Sequence, residues 1–289
     1  MDLDLSHVLE NTRKGQWSVH EFDWDAPLQG AEGLTKDELR QAGLMILFTA
    51  GLERQAAKIF GLCAKHVSDK TAKQIYEFFE RDENRHAEAE ILMARRYGVE
   101  WKDLPLPTRL MFETMKLQWV NPTQVLHELT SAQIVFFEIG LDALLIPALK
   151  RTVNDPLQAE VFRRIDIDES RHLAMDYWLL ERRGQGLEPS LDKMERSDLW
   201  RFVPFAIAGA FGFRAMTRTA GDFIRKMNGP ENQKRFWNRV DAIPERAPSA
   251  PKLRLYRQGL RIQKDLQRMM GRSVGLRPFD HQSSPSARA

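Results

Sequence analysis

Between residues 35 and 185, apolar side chains recur every three or four positions in four long runs, the period of helices with one buried face. The first is expected to start at Thr35, where Glu38 completes a capping box, and to pass Leu44, Ile46, Leu47 and Phe48 to about His66. Gly43, Gly51 and Gly61 interrupt it, each marking a close approach of a neighbour. Ser68 is expected to cap the second run, which carries Ile75, Phe78 and Phe79 and ends near Tyr97-Gly98. Pro105 and Pro107 break the pattern over 99–121, a crossover with a short helix between Leu110 and Trp119. Asn121 and Pro122 start the third run, through Leu126, Leu129, Ile134, Phe137, Leu141 and Leu145. Pro147 should kink it or end it before Val153. Asn154-Asp155-Pro156 turns into the fourth, with Phe162, Ile165, Met175 and Leu179, which ends at Gly184. Short turns inside each pair and a long crossover between pairs predict an all-α four-helix bundle.

The flanks read differently. Residues 1–34, with Trp17, Phe22 and Trp24 among acidic residues and His20, are expected to be an irregular strap laid over the bundle. Residues 186–272 form an additional C-terminal helical region. Within it, 202–213 are apolar all round and too few to span a bilayer. A buried helix is expected there, with an interfacial or substrate-lining segment as the alternative. A basic helix over about 251–272 follows, and the tail 273–289 is expected to be disordered.

Composition adds modest bounds. Apolar residues make up 43% and charged residues 29%, a usual globular balance. The single cysteine, Cys63, excludes an intrachain disulfide and any multi-cysteine metal site. The N-terminus lacks the basic and apolar regions of a signal peptide, so a cytoplasmic location is expected. Net charge is +3, but residues from 190 onward carry 20 Lys+Arg against 9 Asp+Glu. That basic part is expected to meet something anionic: a membrane surface, an acidic carrier protein, a nucleic acid, or the acidic part of its own chain or of a second subunit in a homodimer.

The candidate chemistry lies in a doubled motif. Asp82-Glu83-Asn84-Arg85-His86 and Asp168-Glu169-Ser170-Arg171-His172 share the pattern Asp-Glu-x-Arg-His, each on a predicted helix. Residues three apart share a helix face, so each motif aims a carboxylate and an imidazole together. With 21 Glu and 7 His in 289 residues, chance supplies roughly half of one Glu-x-x-His. One copy would suit a solvated helix face; two in the same frame point elsewhere. Glu53 precedes Glu83 by 30 residues and Glu138 precedes Glu169 by 31, both in apolar surroundings where a carboxylate needs a partner or a metal. One Glu from each of two helices plus a Glu-x-x-His from each of two others is the ligand pattern of bundle-core dinuclear sites. The expected ligands are Glu53, Glu83, His86, Glu138, Glu169 and His172, with Glu83 and Glu169 bridging. Asp82, Asp168, Arg85 and Arg171 are expected to support them from behind. This oxygen-and-imidazole set suits iron or manganese over zinc, with two irons expected and a manganese–iron pair as the alternative.

The spacing resembles the ferritin-like di-iron carboxylate superfamily over residues 35–185, and the two motifs look most like its O2-activating branch, the acyl-carrier-protein desaturases and di-iron monooxygenases. The resemblance implies two iron ions, O2 as co-substrate, and a hydroxylase or desaturase acting on an apolar or carrier-bound substrate. Electrons would come from a separate reductase, because no flavin, nicotinamide or iron–sulfur motif is visible. Three departures matter: Leu141 stands where a desaturase-like threonine would, Glu90 replaces a tyrosine one turn after His86, and rubredoxin-like cysteine pairs are absent. The alternatives are a ferroxidase or iron-handling ferritin-like protein, and a non-catalytic helical interaction protein with a structural metal.

Overall fold

The computed structural model describes residues 3–120, 122, 124–189 and 196–273, and among them no strand occurs. Four helices form the bundle: α2 (Lys36–His66), α3 (Lys70–Arg96), α5 (Gln124–Gly140) and α7 (Pro156–Gly184). Around them lie α1 (Leu5–Lys14), α4 (Leu106–Gln118), α6 (Ile146–Thr152), α8 (Arg196–Thr219), α9 (Gly221–Met227), α10 (Pro230–Asp241), α11 (Ile243–Arg246) and α12 (Arg254–Ser273). Helix α2 packs on α3 and α5, and α7 packs on α5 and α3, closing a four-sided core. At 31 residues, α2 is about 46 Å long at 1.5 Å per residue.

The local causes are legible. The Thr35 hydroxyl accepts from Glu38 N while the Glu38 carboxylate accepts from Thr35 N, closing the expected capping box. Gly98, at φ 73°, terminates α3 in the left-handed conformation that glycine tolerates. A Cβ on Gly51 would lie 2.3 Å from the Phe112 ring, so this glycine lets α4 close onto α2. Asp155 accepts from Gln158 N to cap α7 and pairs with Arg96 at 2.5 Å. Arg96 also donates to the carbonyls of Ala26 and Pro27, tying the N-terminal segment to the bundle.

Several expectations are corrected. Residues 1–34 are not irregular throughout, because Asp4 caps the ten-residue α1, which packs on α3 and α7. Asp69, not Ser68, caps α3; Ser68 instead bonds Glu188 through its N–H and hydroxyl. The crossover helix begins at Leu106, since Pro107 suits a first helical turn. Pro147 is passed without ending the helix at once, and the helix stops at Thr152, at the expected outer limit near Val153. A π-helical segment, Leu141–Leu145, precedes the proline, and α6 restarts with Pro147 in its first turn. The stretch 202–213 falls within α8, whose outward side chains Val203, Ile207 and Phe211 are exposed, so it is not buried all round. Asn121 and the tail 274–289 lie outside the described residues. Thr130–Thr152 is long and apolar enough to cross a membrane, but it is mostly buried, as a core helix of the bundle would be.

Candidate metal centre

All six expected ligands converge. Glu53 comes from α2, Glu83 and His86 from α3, Glu138 from α5, and Glu169 and His172 from α7; every one is buried. They form two overlapping groups, Glu53–Glu83–His86–Glu169 and Glu83–Glu138–Glu169–His172, with candidate ligand atoms inside each group within 4.8 Å of one another. Glu83 and Glu169 occur in both groups, the position a bridging carboxylate requires. His20, by contrast, is exposed and outside both.

The two motifs interlock rather than standing side by side. His86 Nδ1 faces Glu169 at 3.2 Å, and His172 Nδ1 faces Glu83 at 2.8 Å. Behind each ring the aspartate belongs to the other motif: Asp168 lies 3.0 Å from His86 Nε2, and Asp82 lies 3.6 Å from His172 Nε2. An Nε2–H held by a carboxylate leaves Nδ1 as the lone-pair donor toward the cluster. Arg85 reaches both aspartates, Asp82 at 2.5 Å and Asp168 at 3.2 Å, and Arg171 pairs with Asp168. The Phe79 and Phe60 rings close over His172, at centroid distances of 4.1 and 5.1 Å, and keep that flank dry.

Electrostatics test whether metal ions fit. Both oxygens of Glu83 and of Glu138, with Glu53 Oε2 and Glu169 Oε1, are buried without a hydrogen-bond partner. Uncompensated carboxylates are expensive to bury, and cations are what this donor set lacks. Without metal, burial and the Glu53 charge push Glu83 well above the usual carboxylate range, and burial and Glu169 do the same to Glu138. For Glu169 burial acts upward, but the adjoining Glu138 carboxyl and the His172 charge outweigh it and hold Glu169 well below that range. Burial also opposes charge on the imidazoles. Asp168 and Glu169 nevertheless lift His86 well above its ordinary value, and Glu169 and Asp82 lift His172 to about 9. The residues present therefore fit a pair of divalent ions.

Four participants escaped the sequence reading. Trp17 donates its indole N–H to Asp168 Oδ2 at 2.8 Å and stacks near His86, so the N-terminal segment reaches the back of the centre. Gln16 donates to Asp82 at 2.9 Å. Glu90 and Asp176, each one turn beyond a motif histidine, are buried with an unpartnered oxygen, and burial leads the upward push on both acids. A signal existed for these two: the doubled frame continues to an acidic residue four positions after each histidine.

A cavity of about 270 Å³ opens between the bundle helices α2 and α5 and the helices packed outside them. Its lining includes Leu52 and Ala56 of α2, on either side of Glu53, and Ile134 and Phe137 of α5, four and one residues before Glu138. Met115, Gln118 and Trp119 of α4, Phe205 and Phe213 of α8, and Ile262 and Gln263 of α12 complete the wall. The helices outside the bundle thus build a predominantly apolar chamber beside the carboxylate cluster.

No protein-family model matches the chain, and no curated protein matches it. Among solved structures, the dimanganese(II) NrdF of Streptococcus sanguinis is similar, with a TM-score of 0.51 and 12% identity over 97% of this chain and 91% of that one. The fold is that of the ferritin-like helical bundles, as the sequence motifs led one to expect. Matching over nearly the whole of both chains, the likeness extends beyond the four central helices.

Proposed function

We propose that the protein is an O2-dependent di-iron oxidoreductase, a hydroxylase or desaturase, that oxidises an apolar group held in the cavity beside Glu53 and Glu138. The observation that carries this reading is the adjacency of a buried Glu4His2 cluster to an apolar chamber. A pair of iron ions bound by those six residues supplies O2 activation. The chain's own groups then have defined tasks. Glu83 and Glu169, which belong to both groups, would be shared between the ions, His86 and His172 would each hold one, and Asp168 and Asp82 fix the imidazole rings. Leu52, Ile134 and Phe137 exclude water from the flank where substrate carbon would lie.

Hydroxylation consumes one O2, two electrons and two protons and yields the alcohol and one water; desaturation yields the alkene and two waters. Neither a flavin nor an iron–sulfur motif is visible in the chain, so the electrons come from a separate reductase. The cavity favours oxidation of an organic substrate over ferroxidase or iron handling, which needs no apolar chamber. It equally speaks against a purely structural metal. A cavity of about 150 Å³ holds benzene, so this one suits a chain segment of about ten carbons. Gln118 Nε2 and Gln133 Nε2 are buried there without hydrogen-bond partners, ready to orient one polar group of the substrate. The test is single-turnover O2 consumption by chemically reduced, iron-loaded protein with medium-chain alcohols, acids and esters. Mass-spectrometric detection of a product with one added oxygen, or two fewer hydrogens, supports the proposal. Iron oxidation with every organic compound recovered intact refutes it.

A further inference from the structure

The exposed large apolar side chains are not scattered. Among the described residues, most of them lie on two helices that pack against each other, α4 and α8. On α8, Trp200 (74% exposed), Val203, Ile207 and Phe211 (63%) follow the three-and-four spacing of one helix face, a stripe about 16 Å long. On α4, Leu106, Leu110, Leu117 (72%) and Val120 just beyond its end (81%) are exposed as well. The two helices run antiparallel, with the Thr108 hydroxyl bonded to the Gly212 carbonyl and Met115 sharing the cavity wall with Phe205. Buried sides of the same helices line the chamber, so the exposed apolar face and the cavity are two surfaces of one structure. Ile262, which also lines the chamber, is itself exposed at this edge.

Charge identifies the occupant. The α8 stripe continues into exposed Arg214 and Arg218 on the same face. Helix α12, which packs on α8, adds exposed Arg254 and Arg261 and half-exposed Lys264. None of these five cations forms an ion pair among the described residues. The acids with described side chains on α4 and α12, Glu113 and Asp265, are each paired within their helix, to Lys116 and Arg268. Apolar side chains flanked by uncompensated cations match an anionic lipid surface, into which an interfacial helix sinks its apolar face to about 5–10 Å. A second copy of this chain would bring the same positive charge to the contact.

We infer that the α4–α8 face docks on an anionic membrane and that the apolar substrate enters the chamber from the lipid. The docking stands on its own observations; only the entry of substrate rests on the function proposed above. The experiment is flotation of the iron-loaded full-length protein with vesicles of phosphatidylcholine, with and without phosphatidylglycerol, at low and high salt. Binding is expected to phosphatidylglycerol vesicles and to weaken with salt. The pair Ile207→Ser with Phe211→Ser should weaken it by at least about tenfold, and Arg214→Glu with Arg218→Glu should abolish the preference for the anionic lipid. Both pairs change exposed residues, so iron content and melting temperature should stay at wild-type values. No binding by the wild type, or equal binding by the apolar double variant, would overturn the inference. So would a wild-type dimer in sedimentation velocity that the apolar pair converts to monomer, since a second copy would then occupy the face. Loss of substrate oxidation with docking intact would instead count against the proposed reaction.

Discussion

Glu83→Gln is the perturbation that separates the two halves of the argument, ligation and electrostatics. Glu83 belongs to both ligand groups, its Oε1 stands 2.8 Å from His172 Nδ1, and neither oxygen has a hydrogen-bond partner. In the metal-free protein, burial and the Glu53 charge raise its acid well above the usual range, which favours the neutral form. Glutamine is neutral and of the same shape. The metal-free variant should therefore melt within a few degrees of wild type, a change of about 1 kcal/mol or less. With metal the difference appears. A ligand at a thousand times its Kd stabilises by about 4 kcal/mol, roughly 8–16 °C for a chain of this size. If the variant binds about a hundredfold more weakly, the same metal concentration is worth only about 1.4 kcal/mol, or roughly 3–6 °C. Anaerobic thermal melts with and without Fe(II) or Mn(II) read both quantities. An undiminished metal-induced shift in the variant would refute the ligand assignment. A metal-free variant weakened by more than about 3 kcal/mol would refute the claim that Glu83 is a neutral acid there.

Four further outcomes are expected. For the metal-free protein, raised folded-state values mean that protonated Glu83, Glu138, His86 and His172 stabilise the fold, and that this is lost as pH rises. Its melting temperature should fall between pH 6.5 and about 9, the interval in which folded His172 keeps a proton that the unfolded chain has lost; a rise over that interval would contradict the assignment. Asp168→Asn should weaken metal binding by about 10–100-fold while leaving the six ligands in place, as read by competition with a chelator. His20→Ala should leave metal content at the wild-type level, whereas His172→Ala should not. Arg96→Met removes the buried partner of Asp155 and should cost about 3–5 kcal/mol in urea unfolding.

What the sequence disclosed and what it withheld divide along physical lines. The six ligands were legible because spacing on a helix fixes a shared face, and the same frame occurs twice. The Thr35 cap was legible for a similar reason, as its partner Glu38 lies within one turn. Long-range pairings were not. That Asp168 serves His86, and Asp82 serves His172, depends on how α3 faces α7, which no local pattern encodes. Trp17 looked like a packing aromatic, and only the fold brings its N–H to a residue 151 positions away. For 202–213, apolar composition alone could not distinguish a helix buried all round from one with a lined inner side and an exposed outer one. Pro147 signalled an irregularity, but no local pattern showed that it takes the form of π-helical turns ahead of the proline.

The central claim is that Glu53, Glu83, His86, Glu138, Glu169 and His172 hold a pair of oxygen-reactive metal ions. Elemental analysis of the purified protein, followed by anaerobic reduction and an absorbance scan on adding O2, tests it most directly. Two irons per chain, or one manganese and one iron, are expected, with a transient visible band when O2 is admitted. Protein that binds no metal under reducing conditions, or holds two irons that never react with O2, would contradict it.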